Sequence, residues 1–259
     1  MRVVSVLVLV AVLFILNVFR IRAGGIRNLV SPSYWATGIT GKEFYYPETG
    51  YFRAGNRKRR EVCFTFDDGP NGASCEPILK ILKAGGVHAT FFLIGQRIKA
   101  YPDLTREILA DGNEVGNHTM HHPRLDTITT AQVEDELKEC EAIFESTTHG
   151  AHMYLFRPPG ERMNDGVLAV AKQMGYTTVG WQIGAQDYTG GGADSLQVLN
   201  DVKKQLKPGA IILLHDSPLT ASVLADMIQA VKDQGYKTVT VTQMLRDLPD
   251  PVDVPTNAR

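Results

Sequence analysis

The chain has 259 residues, enough for one sizeable domain or two small ones. Hydrophobic residues make up 44% and charged residues 21%, which excludes a collagen-like, wholly disordered or disulfide-scaffold chain. The net charge of −1 hides an asymmetry: ten Lys/Arg against Glu43 and Glu48 give residues 1–60 a charge of +8 and leave −9 on the remainder, an acidic body that argues against nucleic acid as a partner.

The N-terminus opens on an uncharged run, residues 3–19, in which only Ser5 and Asn17 are polar. That length is the lower edge for a helix crossing a bilayer core and exceeds most signal-peptide cores. The small residues that a cleavage site needs are missing, since Ile21-Arg22-Ala23 places a bulky Ile at −3. Residues 1–25 therefore read as an uncleaved membrane anchor, with a cleaved signal segment as the alternative. Arg20, Arg22 and Arg27 follow the run while Arg2 precedes it, so a plain positive-inside count would keep the body in the cytoplasm.

Residues 26–60 lack periodicity and end in Asn56-Arg57-Lys58-Arg59-Arg60, which reads as a linker with a basic collar. The collar is either a solvated charge run or a contact for anionic headgroups or an anionic polymer. From Glu61 short apolar runs alternate with amphipathic stretches. Strands are expected at 61–67, 88–94, 113–117, 153–157, 176–182, 210–214 and 236–241. Helices are expected near 75–85, 101–111, 130–147, 164–174, 194–206, 219–234 and 242–248. In the third of these Val133, Leu137, Cys140 and Phe144 recur at helical spacing behind a Thr cap. Solid apolar strands alternating with helices predict a parallel sheet buried on both faces. Seven units in about 190 residues suit a small incomplete barrel better than an eightfold one; an open doubly wound sheet is the alternative. Residues 249–259 read as a frayed tail. Cys63, Cys75 and Cys140 form no C-x-x-C pair and read as core or helix-face thiols.

The unusual polar residues fall where the strands stop, the face on which parallel barrels build their sites. The first strand ends in Asp67-Asp68-Gly69-Pro70; two adjacent carboxylates need a cation nearby if both are to stay ionised. His118 and His122 are four apart, and one helical turn would bring both imidazoles to one side. Two imidazoles and one carboxylate leave an open position on zinc or a similar ion. His121 would point elsewhere, and His88, His149 and His152 lack partners at useful spacing. Arg157-Pro158-Pro159-Gly160, Asp187-Tyr188 and Leu213-Leu214-His215-Asp216 close three later strands.

In that order and spacing, TFDDGP, His118-Thr119 with His122-Pro123, Arg157-Pro158-Pro159, Asp187-Tyr188 and LLHD resemble the motifs of the polysaccharide deacetylase family (NodB homology domain, carbohydrate esterase family 4), over residues 61–248. The resemblance implies a distorted (β/α)7 barrel. It also implies a divalent metal, zinc first and cobalt(II) or another divalent ion next, on Asp68, His118 and His122. Asp67 then corresponds to the catalytic base, His215 to the acid, Arg157 to the residue orienting the base, and Asp187 to the partner of the acid. Gly160 matches the oxyanion donor, and Leu213 and Tyr188 line the acetyl pocket and groove. Departures from the family pattern are Gly160-Glu161 in place of Tyr-Gly, Gly184 where an Asp is frequent, and Tyr188 where a Trp is frequent. The implied activity is removal of N-acetyl groups from a GlcNAc-containing polymer, peptidoglycan or chitin-like. An O-acetyl esterase on xylan-like glycans and a non-catalytic glycan binder are the alternatives. The implied location is extracytoplasmic, membrane-anchored or secreted if the leader is cut, in conflict with the plain charge count.

Overall fold

The protein is seen in a computed structural model that describes residues 45–188, 194–248 and 251–257. The apolar run at 3–19 and most of the expected linker lie outside the described residues, so the membrane anchor is not addressed there. Among the described residues no helix is long and apolar enough to cross a membrane.

Ten strands form one sheet. They are β1 (Tyr45–Tyr46), β2 (Tyr51–Phe52), β3 (Glu61–Gly69), β4 (Thr90–Leu93), β5 (Glu114–Asn117), β6 (Leu155–Phe156), β7 (Thr177–Val179), β8 (Ile183–Gly184), β9 (Ala210–His215) and β10 (Lys237–Thr238). The helices are α1 (Cys75–Gly85), α2 (Gly95–Ala100), α3 (Pro102–Ala110), α4 (Thr130–Thr148), α5 (Asp165–Gln173), α6 (Ser195–Gln205), α7 (Pro218–Asp233) and α8 (Val241–Arg246). The order is β1-β2-β7-β6-β5-β4-β3-β9-β8, with β10 beside the start of β3, and every pairing but β1 with β2 is parallel. The long helices have plain sequence causes. Thr129 and Gln132 form a capping box at the start of α4, and Asn164, Asp194 and Ser217 each accept the N3 amide of α5, α6 and α7.

The sheet wraps into an incomplete barrel. Its β7 and β8 lie far apart along the ladder, yet only residues 180–182 join them, without a helix. Alternation on each strand sends one set of side chains inward, where Phe52, Cys63, Phe92, Leu155, Val179 and Ile211 from six strands form one buried cluster. Side chains from strands so far apart cannot meet on an open sheet, which decides against the doubly wound alternative. Room for Phe92 comes from Gly116 on the neighbouring strand, where a Cβ would lie 2.6 Å from the Phe92 ring. The outward set, including Phe64, Phe66, Phe91, Phe156 and Leu214, packs under the helices. Cys63, Cys75 and Cys140 are free and buried, as core thiols should be.

Three differences from the expectation have local causes. Residues 45–55 are not linker: Phe52 is fully buried, and β2 pairs with β7 at Tyr51↔Thr178 and Phe52↔Val179. Two-residue strands have no alternation for a sequence pattern to show. The 176–182 run is strand only at its start, because the chain turns at Gly180 into the short β8. Residues 251–257 are not frayed. Val254 is buried beside Met244 and Leu245, Asn257 Oδ1 accepts the Val115 amide at 2.9 Å, and α8 with this segment closes the barrel at the strands' N-terminal ends. Glu114 faces the same end, accepting from Thr90 Oγ1 at 2.7 Å and the Thr242 amide at 3.3 Å, while burial raises its pKa.

Replacing Phe92 by Ala should cost about 3–5 kcal/mol in a urea unfolding series; a loss below about 1 kcal/mol would contradict the interior packing.

Candidate active site at the carboxyl ends of the strands

On β3 the inward residues are Cys63, Thr65 and Asp67, so Asp67 comes to the rim by simple alternation. Asp68 should then face outward, and a bulge prevents it. The register with β4 runs Asp67↔Phe92 and then Gly69↔Leu93, leaving Asp68 as the extra residue with φ 67°. Two consecutive carboxylates thus reach one site.

Asp67 is 4% exposed, and its partner is the fully buried Arg157. The guanidinium gives one Nη1 to Asp67 Oδ1 at 2.7 Å and to Thr65 Oγ1 at 2.8 Å. Its other nitrogens donate to the carbonyls of Val179 and Gly180, both at 3.2 Å. It lies 4.1 Å above the Phe92 ring, so the cation is enclosed on all sides. The Arg157 carbonyl has a second task. It accepts His118 Nδ1–H at 2.7 Å, which leaves Nε2 of that ring as a lone pair.

That lone pair lies 3.4 Å from Asp68 Oδ1, and His122 Nε2 lies 3.3 Å from the same oxygen. One ligand atom from each of Asp68, His118 and His122 falls within 4.8 Å of the others. Asp68 Oδ1 is buried, and no group among the described residues satisfies it with hydrogen-bond geometry. Burial pushes the Asp68 carboxyl up, but the two imidazoles, when protonated, outweigh it by hydrogen bonding and charge and hold the group well below the usual carboxylate range. A divalent cation fits this donor set: two imidazole nitrogens and one ionised carboxylate converge, with solvent on the His122 side.

The imidazoles do not meet by a helical turn. Residues 118–122 form a bent loop in which Thr119 (φ 69°) and His122 (φ 60°) are left-handed. Thr119 Oγ1 accepts the His122 amide at 3.0 Å, Asn117 Oδ1 accepts the Thr119 amide at 2.8 Å, and Asn117 Nδ2 donates to Leu137 O on α4. His121 is turned away, as expected, but it is held: its amide and Nδ1 both reach the Glu136 carboxylate at 2.8 Å. Glu136 escaped sequence reading because only the fold brings α4 beside this loop.

His215 closes β9 directly opposite Asp67 in the ladder. Its Nδ1 donates to Asp187 Oδ1 at 2.8 Å, and its amide donates to Asp187 Oδ2 at 2.7 Å. Thr220 Oγ1 also donates to Asp187. Burial opposes the imidazolium, but the Asp187 carboxylate outweighs it, so the His215 pKa lies above the ordinary value. Leu213 is buried two residues earlier on the same side of β9, and the half-exposed Tyr188 ring meets His215 edge-on at 5.9 Å. Asp216 points the other way and ties the loop after β3 to β9 by accepting Ser74 Oγ at 2.6 Å and the Asn71 amide at 2.9 Å.

Gly160 (φ 59°) and Glu161 (φ 54°) form an exposed rim turn after Pro159, and the Gly160 N–H has no protein acceptor among the described residues. Sequence reading gave no role to Tyr51, yet its hydroxyl donates to Glu161 across the rim. Gly180 permits this pairing, since a Cβ there would lie 2.2 Å from the Tyr51 hydroxyl.

The sequence profile of polysaccharide deacetylases matches residues 54–179. A peptidoglycan-N-acetylglucosamine deacetylase of Bacillus cereus is 37% identical over 191 residues, 71% of this chain and 88% of the relative. The chain belongs to the polysaccharide deacetylase family. A chitooligosaccharide deacetylase of Bradyrhizobium sp. is also 37% identical, over 200 residues covering 71% of this chain and 90% of that protein. Among solved structures, a CE4 family pseudoenzyme from Bacillus anthracis superposes with a TM-score of 0.73 at 29% identity, covering 79% of this chain and 71% of that one. The family fold thus carries both deacetylases and a pseudoenzyme.

Replacing Arg157 by Met should destabilise the protein by about 3–5 kcal/mol, because Asp67 would be left buried without its cation. Replacing Asp67 by Leu in addition should recover much of that loss in the same unfolding assay. A single variant as stable as the parent would show that the pair is not what holds the rim.

Proposed function

We propose that this chain is a metal-dependent hydrolase that removes N-acetyl groups from a GlcNAc-containing polysaccharide, with peptidoglycan as the first substrate and chitin-like polymers as the second. One observation carries the reading: Asp67 with its arginine, the Asp68/His118/His122 donor set, and His215 with its aspartate converge on one end of the barrel. The deacetylases among its relatives, acting on peptidoglycan or chitooligosaccharides by name, support the substrate class.

Asp68, His118 and His122 would hold the cation, zinc first, which when bound supplies Lewis-acid polarisation of the acetyl carbonyl and acidifies water beside it. Asp67 accepts the proton of the attacking water, and Arg157 fixes its orientation. The Gly160 N–H supplies a donor for the developing oxyanion. His215 enters as the imidazolium, favoured by Asp187, and gives its proton to the departing amine. Leu213 forms an apolar wall for the acetyl methyl, and Tyr188 offers a ring face to the sugar. Both proton carriers are side chains, so no covalent intermediate is needed.

An O-acetyl esterase would use the same groups, because esters and amides share the tetrahedral intermediate. A non-catalytic glycan binder is the reading favoured by the pseudoenzyme relative; the complete set of Asp67, Asp68, His118, His122 and His215 weighs against it. In this proposal residues 1–25 anchor the chain, residues 61–248 with β1, β2 and the 251–257 segment make the deacetylase domain, and the domain lies outside the cytoplasm.

Acetate release from peptidoglycan, chitooligosaccharides and acetylated xylan should separate these readings. The proposal expects release from the first two, loss with a chelator and recovery with zinc. Release from acetylated xylan alone would select the esterase, and none from any would select the binder. Asp67→Asn and His215→Ala should each lower turnover about 100- to 10,000-fold with bound metal unchanged. Retained turnover in either would remove that role.

A second prediction concerns pH. The acid must be protonated, so turnover falls as pH rises through the His215 pKa, which Asp187 holds above the ordinary imidazole value. Asp187→Asn should move the alkaline limb to lower pH; an unmoved limb would dissociate His215 from proton donation.

A further inference from the structure

Two features of the sequence have no part in this chemistry: the basic run at 56–60 and the apolar run at 3–19. The fold places the first at the barrel end opposite the active site. Arg57, Lys58, Arg59 and Arg60 lie exposed in the turn that feeds β3. Arg59 is committed to Glu61 and Asp247. Among the described residues Arg60 meets no carboxylate: it lies 4.4 Å above the Tyr236 ring and donates to the carbonyls of Gln234 and Gly235.

Main-chain bonds gather three more cations around them. The Lys237 amide donates to Arg60 O at 2.8 Å. The Gly209 amide donates to Glu61 O and the Gly55 amide to Gly209 O, both at 2.8 Å, which puts Lys207 beside the turn. Gln234 Nε2 donates to Lys203 O at 3.3 Å. Lys58, Lys203, Lys207 and Lys237 are exposed and, among the described residues, make no ion pair. Glu61 and Asp247, the carboxylates paired at this turn, are both on Arg59. Asp253 lies 3.8 Å from Arg246.

We propose that this basic face docks on an anionic lipid surface and turns the active site away from the bilayer. Three considerations select lipid as the occupant. The face offers Lys58, Arg60, Lys203, Lys207 and Lys237, none of them paired with a carboxylate among the described residues, and such a cluster attracts anionic headgroups. The same chain carries the uncharged run at 3–19, of bilayer-spanning length. The 25 residues between that run and the described domain, 20–44, have a fully extended length of about 80 Å, so the run does not by itself select which face of the domain meets a bilayer. From Glu61 to Asp68 the strand rises about 20–25 Å, which sets the height of the metal-ligand rim above the headgroups.

The test uses the full chain in vesicles, with a donor dye on the exposed Lys204→Cys and an acceptor dye on lipid; the native cysteines are buried. Energy transfer should be stronger in phosphatidylcholine with phosphatidylglycerol than in phosphatidylcholine alone. It should fall to the neutral-lipid level in about 1 M salt, where the screening length is about 3 Å. Combined Lys58→Glu, Lys207→Glu and Lys237→Glu should do the same at low salt. Equal transfer in both lipids, or no response to the triple variant, would overturn the proposal. Binding of polyphosphate without lipid-dependent transfer would also overturn it and point to an anionic polymer. The readout is independent of turnover, so failure of the deacetylase reading would leave it intact.

Discussion

The site depends on a single buried cation. Arg157 has no exposed surface, and every direction around it is occupied by a carboxylate, a hydroxyl, two carbonyls or an aromatic face. A guanidinium in such surroundings is tolerated only with that full set of partners. Fixing it also fixes Asp67, and its own carbonyl fixes the tautomer of His118. The orientation of the proposed base and the availability of one nitrogen of the proposed metal site are therefore one structural fact. The barrel below supplies the floor, since Phe92 and the carbonyls of residues 179 and 180 come from strands on either side.

Most of this was legible in the sequence where the physics is local. The run from Glu61 to Asp67 is short and mostly apolar and ends in carboxylates, so the first core strand and the place of Asp67 at its end were readable. Helices with caps and a full apolar stripe, such as α4, were equally plain. Illegible features were those made by few residues or by distant contacts. Tyr51 and Phe52 form a strand too short to show a pattern. The bulge at Asp68 depends on register with β4, and the fold of the 118–122 loop on left-handed conformations held by Thr119 and Asn117. A helical turn was the simplest way to align His118 with His122; a bent loop achieves the same meeting by another route. The docking of Val254 and Asn257 needs a three-dimensional partner that a linear reading cannot supply.

The rim after Pro159 departs most from the family pattern. Gly160 and Glu161 stand where the resemblance to the family sets a Tyr and a Gly, and both are left-handed. Glu161 takes a conformation that suits glycine, and its carboxylate is met by the Tyr51 hydroxyl from a strand found only in the fold. The rim is thereby tied to β2 by a polar contact.

The closure of the barrel by α8 and residues 251–257 bears on how the domain matures. Phe52, Cys63 and Ile211 share their interior with Met244, Leu245 and Val254, so the first-made strands cannot be sealed from water until the segment around residue 254 has emerged from the ribosome. Until then the nascent chain holds an open cup of aromatic and aliphatic surface, the kind of intermediate that chaperones recognise. A truncation that removes only those late residues would strike the earliest part of the core.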